Sequence, residues 1–134
     1  MSEPWLRREW IAPGMVLIEQ GGKTGQLYVL REGHLEVERD GQHVATITSP
    51  GAVLGEISVL LDMPQSATVR AVTGTEFFVI DNAIDVLRAY PDWLLQIARL
   101  LAQRVNTTTA QLTAHESGDG GLVLPQNFLS SWGD

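Results

Sequence analysis

Three groups of residues in this 134-residue chain have types and spacings that could do chemistry. Gly22-Lys23-Thr24 has the ending of a phosphate-binding loop, in which glycine amides and a lysine cradle a polyphosphate. The glycine needed five positions before Gly22 is Leu17, and the following segment reads as a strand, so the group is expected to be a glycine turn. His34, His43 and His115 form no close pair, and there is no cysteine, so neither a metal site nor a thiolate nucleophile is expected. No Gly-x-Ser-x-Gly nucleophile elbow occurs either, and the chain is expected to carry no catalytic residues. The third group lies between Pro50 and Ala71. Gly55 permits a tight entry into a short helical turn, and Glu56 falls at the positive end of that turn, where a carboxylate is favoured. Val59, Leu60 and Leu61 give the turn an apolar face, Pro64 ends it, and Ser66-Ala67-Thr68-Val69 resumes as a strand. A glycine turn together with free amides at Ser66 and Ala67 makes a concavity suited to an anion. The same residues also compose a plain strand-helix-strand connection with Glu56 as a cap, and the residues alone leave both readings open.

The elements that must position this group follow from the apolar pattern. From Trp10 to Ile80 short apolar segments alternate with Gly, Pro and Asp turn signals about every ten residues, the rhythm of a sandwich or barrel. Strands are expected at 15–19, 27–31, 34–39, 43–48, 67–72 and 76–81. In His34-Leu35-Glu36-Val37-Glu38 the alternation sends Leu35 and Val37 into the core, and Asp40-Gly41 supplies the residues of a tight hairpin. Asp81-Asn82 is placed to cap a short helix through Tyr90, and Pro91 opens a longer one to about His115. Leu94, Ile97, Ala98, Leu101, Val105 and Leu112 recur as one apolar stripe, which thins at Asn106-Thr107-Thr108-Thr109. A β-rich body followed by two helices is the architecture this pattern gives. The chain divides into a folded domain, 1–115, and a flexible acidic tail, 116–134, with a short apolar cluster at Phe128, Leu129 and Trp132.

Composition narrows the function classes. The length is that of one domain, and 44% hydrophobic residues are enough for an ordinary core. A chain of this size buries roughly two-thirds of its unfolded surface, so it needs no disulfide or structural metal. The lack of cysteine argues against a secreted disulfide scaffold and for a cytoplasmic protein, and no apolar run reaches the length of a membrane span. A net charge of −7, with Lys23 the only lysine and the arginines scattered, argues against direct binding to nucleic acid.

The stretch Pro50 to Ala71 resembles the phosphate-binding cassette of cyclic nucleotide-binding domains, the family of bacterial catabolite activators, protein kinase A regulatory subunits and gated channels. Pro13-Gly14, Val16-Leu17, Gly21, Leu27-Tyr28-Val29-Leu30, Gly33, Val37, Gly51 and Gly55-Glu56 fall in the family's order, and Leu100-Leu101-Ala102-Gln103-Arg104 is similar to its final helix. The resemblance implies a mainly β fold, an eight-stranded jelly-roll barrel with a short cassette helix and two C-terminal helices. It also implies a cyclic nucleotide, cAMP or cGMP, as ligand. Gly55, Glu56 and Ile57 would then hold the ribose side, with Glu56 accepting the 2'-hydroxyl. Gln65, Ser66 and Ala67 would face the cyclic phosphate, and Thr108 would lie where the final helix meets the base.

One position departs from the family. Where its cassette has an arginine before the Ser-Ala pair, this chain has Gln65. A hydrogen bond to a charged group contributes about 1.5 to 3 kcal/mol against roughly 1 for a neutral pair, so the exchange is expected to weaken phosphate binding about ten- to a hundredfold. Arg70, five residues on, sits on the opposite face of the strand and is expected to be a surface residue. Thr24-Gly25 also stands where the family often has an acidic residue. After the final helix about twenty residues remain, a segment with no lysine or arginine and a net negative charge, and no DNA-binding segment is expected. Two functions stay open: a sensor that binds a cyclic nucleotide or a ligand with a less charged head, or a degenerate fold serving as a ligand-free dimerisation or interaction scaffold. Either requires an unidentified protein partner or a homodimer through the final helix.

Overall fold

The computed structural model describes residues 5–110 and 122–123, with side chains for residues 5–106. The strands are β1 (Leu6–Ile11), β2 (Val16–Ile18), β3 (Leu27–Glu32), β4 (Leu35–Arg39), β5 (Gln42–Ile47), β6 (Ala52–Leu54), β7 (Thr68–Ala71), β8 (Thr75–Ile80) and β9 (Leu122–Val123). The helices are α1 (Glu56–Leu61), α2 (Ala83–Ala89) and α3 (Pro91–Ala110). Two antiparallel sheets result, one in the order β1-β8-β3-β6-β9 and the other β2-β7-β4-β5. The expected mainly β jelly roll with a cassette helix and two later helices is therefore present, built as two facing sheets.

Alternation in β3 and β8 explains the layering. Both strands read as continuous apolar runs, and both of their faces are buried, each against a different neighbour. Tyr28 and Leu30 of β3 and Phe77 and Val79 of β8 pack against Leu35, Ile47, Val69 and Ala71 of the second sheet. Leu27, Val29, Phe78 and Ile80 point the other way, against Val59 of α1, Ala83, Val86 and Leu87 of α2 and Ile97 of α3. The sequence thus supplies two cores separated by one sheet, and burying a leucine such as Leu30 fully contributes about 1.5 to 3 kcal/mol. Leu35 is fully buried and Val37 packs beside it, as the alternation requires.

The β4–β5 hairpin turns through Asp40 at φ 53° and Gly41 at φ 81°, the paired positive values that a tight turn matched to strand twist demands. Two expectations are corrected. Asn82 occupies the N-cap of α2 in a left-handed conformation without a side-chain cap bond, and Asp81 accepts instead from Arg7 and Gln26. On α3 the packed face is Trp93, Ile97, Leu100 and Leu101, while Leu94 and Val105 are exposed. An aromatic cluster sets that rotation: Trp93 stacks on Tyr90 at 5.2 Å and meets Trp5 edge-on at 5.1 Å. Within the segment 116–134, Leu122 and Val123 form β9, which pairs with Val53 and Ala52 of β6. Leu112, His115 and the apolar cluster Phe128, Leu129 and Trp132 lie outside the described residues.

Candidate ligand-binding site

The cassette begins where β6 runs into Gly55. This residue has φ +84° and serves as the N-cap of α1; a Cβ there would stand 3.2 Å from the carbonyl oxygen of Gln26 and 3.4 Å from Cδ1 of Tyr28. Glycine is therefore demanded by both conformation and space. The turn sends Glu56 inward while Ile57 remains half exposed. At the far end of α1, Asp62 takes a left-handed conformation, and the Ser58 hydroxyl donates to the carbonyl oxygen of Met63 at 2.5 Å. The chain then returns along the Gly21-Gly22 turn. The amide of Gln65 donates to the Gly22 carbonyl oxygen at 2.7 Å, and its own carbonyl accepts from the Gly21 amide at 2.8 Å.

Between the two arms lies a cavity of about 310 Å³. Its floor is apolar, formed by Ile18, Ile47, Val53 and Val69. Gly55, Glu56 and Ile57 line one side, and Gln65, Ser66 and Ala67 the other, so six of the seven residues expected at a site share one cavity. The side chain of Thr108 lies outside the described residues, although its backbone belongs to α3. Arg70 does not line the cavity; it donates to the Gly14 carbonyl oxygen at 3.3 Å and stands 3.7 Å from Glu38. Gly22 closes a turn through Gln20 and Gly21, its amide donating to the Glu19 carbonyl oxygen at 3.0 Å, and Lys23 beyond it pairs with Asp62 at 2.7 Å. Among the described residues no cluster of His, Asp and Glu could hold a metal.

Two charged lining residues were not foreseen, Arg39 and Arg104. The signal for Arg39 was in the alternation: two residues beyond Val37, it shares the inward face of Leu35 and Val37 at the end of β4. Its Nε donates to the carbonyl oxygen of Ser66 at 3.2 Å. Arg104 lies one helical step of seven beyond Ile97 on α3, so the face that packs also carries a guanidinium to the cavity.

Glu56 is buried, and burial pushes its carboxyl above the usual carboxylate range; its own backbone amide and the positive charge of Arg104 oppose the shift. Behind the cassette, Tyr28 donates to Oε1 of Gln26 at 2.8 Å, and Nε2 of Gln26 donates to Asp81 at 2.8 Å. Asp81 is held in turn by Nε of Arg7 at 2.8 Å, so the wall behind Gly55 is a closed polar chain. An apolar floor with a polar rim, one buried acid and two arginines suits a ligand with a flat apolar body and a polar or anionic head.

A jelly roll with this cassette and a helix that brings Arg104 to the cavity defines a small-ligand-binding module. The model of the cyclic nucleotide-binding domain family matches residues 8–84, more than half of the chain, and the chain belongs to that family. It is 32% identical to acetyltransferase Pat of Mycolicibacterium smegmatis, across 69% of this chain and 29% of that protein. The catabolite activator protein of Thermus thermophilus superposes with a TM-score of 0.68 at 27% identity, covering 81% of this chain and 54% of that one. The regulatory subunit of a cAMP-independent protein kinase A from Trypanosoma cruzi, bound to guanosine, gives 0.57 at 28% identity, covering 62% and 29%. The chain spans less than a third of the length of the curated relatives it matches. Among the described residues no helix is long and apolar enough to cross a membrane.

Proposed function

We propose that the chain is a regulatory module that binds a cyclic nucleotide, cAMP or cGMP, in the cavity between the cassette and the second sheet. The observation that carries this reading is the convergence of Gly55, Glu56, Ile57, Gln65, Ser66 and Ala67 on one cavity with an apolar floor. In this reading Glu56 accepts the ribose 2'-hydroxyl, the Ser66 hydroxyl and the Ala67 amide donate to the cyclic phosphate, and the purine lies toward α3. The signal leaves through α3. Glu56 is fixed in the body of the fold and Arg104 rides on the helix, so a ligand bridging the two biases where the helix rests. Leu94, Leu95 and Val105, exposed on α3, favour a second copy or a protein partner as the receiver. The net charge of −7 speaks against nucleic acid as that receiver, and a cytoplasmic site of action fits the cysteine-free sequence.

Gln65 favours a second reading. A cassette without its arginine suits an uncharged ligand, and one relative is bound to guanosine; it also suits no ligand at all, which leaves a dimerisation or interaction scaffold. Calorimetric titration of cAMP, cGMP and guanosine into the wild-type chain separates them. The first reading expects micromolar binding of a cyclic nucleotide; binding of guanosine alone, or silence toward all three, replaces it with the second.

A further inference from the structure

We propose that Arg39, from the end of β4, is the cation that receives the anionic head of the ligand, taking the charge that Gln65 leaves out. The proposal rests on the reading of the cavity as a cyclic nucleotide site and adds a specificity to it.

The location comes first. Arg39 lines the cavity, and its Nε reaches the carbonyl oxygen of Ser66 at 3.2 Å, so the guanidinium stands beside the arm of the cassette where the cyclic phosphate is assigned. That single hydrogen bond is its only one among the described residues, and no described carboxylate pairs with it. A guanidinium has five N–H donors in a planar fork, which leaves its two terminal nitrogens available for a bidentate grip on phosphate oxygens. The side chain is exposed enough to swing by a rotamer as an anion enters.

The other cations are committed elsewhere. Arg70 is directed to Gly14 and Glu38, outside the cavity. Lys23 pairs with Asp62 on the outer surface of the cassette. Arg104 lines the cavity, but its charge acts on the buried carboxyl of Glu56. Arg39 is what remains near Ser66.

Charge balance then selects the ligand. With Glu56 ionised, two arginines and one carboxylate leave the cavity one positive charge in excess. Water screens the exposed Arg39 until a ligand covers the cavity; the ligand must then balance the excess charge, which a monoanion does. A cyclic phosphate is a phosphodiester with one negative charge at neutral pH. A nucleoside brings none, and a 5'-monophosphate brings nearly two. The site therefore favours the cyclic ester over both, by a route that does not use the cassette position.

The test is calorimetric titration of cAMP, cGMP, adenosine and 5'-AMP into wild type, Arg39→Gln and the double variant Arg39→Gln with Gln65→Arg. Wild type is expected to bind its cyclic nucleotide about ten- to a hundredfold more tightly than adenosine. Arg39→Gln is expected to lose about tenfold or more for the cyclic nucleotide and to stay within about twofold for adenosine, and Gln65→Arg is expected to restore the loss in the double variant. An Arg39→Gln variant that keeps its cyclic nucleotide affinity within about twofold overturns the proposal. A second readout separates this failure from failure of the cyclic nucleotide reading. The Nε–Hε resonances of the arginines are followed by NMR during titration with the cyclic nucleotides and with dimethyl phosphate, the Arg39 peak being the one absent in Arg39→Gln. Silence toward both cyclic nucleotides with an Arg39 peak that moves on dimethyl phosphate overturns only the cyclic nucleotide reading. An Arg39 peak that moves with none of these probes overturns the assignment of Arg39.

Discussion

The amide of Gln65 donates to the carbonyl oxygen of Gly22 at 2.7 Å, and its carbonyl accepts from Gly21 at 2.8 Å, so the chain is held here by its backbone and not by its side chain. The residue type at this position is thereby released from structural duty. Gln65→Arg is expected to leave the melting temperature within about 2 °C of wild type, since a half-buried polar exchange away from the core costs within about 0.5 kcal/mol. Affinity for a cyclic nucleotide is expected to rise by about tenfold, the difference between a neutral and a charge-assisted hydrogen bond. Scanning calorimetry and titration on the same preparation check both halves. A stable variant with unchanged affinity means that the arm from Gln65 to Ala67 does not face the phosphate.

Glu56 makes a second prediction through its burial. Its carboxyl in the fold holds a proton more tightly than the ordinary carboxylate value of 4.5 in the unfolded chain. The native state therefore binds more protons than the unfolded state in the window between the two values. The resulting contribution to stability is fully present below the unfolded value and is lost as pH rises through the raised folded one. Glu56→Gln removes this pH dependence. The variant is expected to melt higher than wild type at about pH 7.5, with the gap closing toward about pH 4. It is also expected to lose about tenfold or more in cyclic nucleotide affinity, because a neutral amide is a poorer acceptor for the ribose hydroxyl. Melting curves at the two pH values decide the first half. A variant less stable than wild type at about pH 7.5 shows that the carboxylate is better satisfied in the fold than its burial implies.

The sequence made some of this legible, for identifiable reasons. The β4–β5 hairpin was readable because Asp40-Gly41 is a local signal that needs no tertiary contact. The cassette residues were readable because they lie within one stretch, Gly55 to Ala67, and resemble a known motif. β1 was not, since Leu6-Arg7-Arg8-Glu9-Trp10-Ile11 shows no clean alternation and two of its charges are met from afar, Arg7 by Asp81 and Arg8 by Glu76. β6 has only three residues, all buried, which a periodicity argument cannot resolve. Arg39 and Arg104 were missed for a different reason. Counting scattered arginines excludes a basic stripe, yet it is blind to two that lie 65 positions apart in the chain and meet at one cavity.

Glu76 titrates with the opposite sign to Glu56. It accepts from Nε of Arg8 at 2.5 Å and from Nη1 of Arg31 at 2.9 Å, and these partners, Arg8 foremost, hold its carboxyl below the usual carboxylate range. Its contribution to stability is present above the unfolded value and is lost as pH falls through the lowered folded one. Glu76→Gln is expected to cost about 1 kcal/mol or less at neutral pH, because the group is partly exposed, and the gap to wild type is expected to narrow as pH falls below the unfolded carboxylate value. Chemical denaturation across this range reads the difference directly. A gap that stays constant down to about pH 3 shows that the loss is one of packing and not of charge.

Gly55 ties stability to the site. At φ +84° an L-residue costs about 1 to 2 kcal/mol, and the Cβ would also press on the Gln26 carbonyl oxygen at 3.2 Å. That oxygen belongs to backbone fixed in front of β3, whereas Gly55 stands at the start of a short helix, so α1 is the element expected to give way. Gly55→Ala is thus expected to lose about 1 to 2 kcal/mol of stability and to keep its fold, because α1 gives only Val59 and Leu60 to one core and the rest of both cores comes from other elements. Movement of α1 carries Glu56 with it, and a misplaced buried acid cannot meet the ribose. Titration at a temperature where the variant is fully folded is expected to show a loss of about tenfold or more in cyclic nucleotide affinity, beyond what partial unfolding explains. Unchanged affinity in a destabilised Gly55→Ala would mean that Glu56 keeps its position without the glycine turn, and that the turn serves the fold alone.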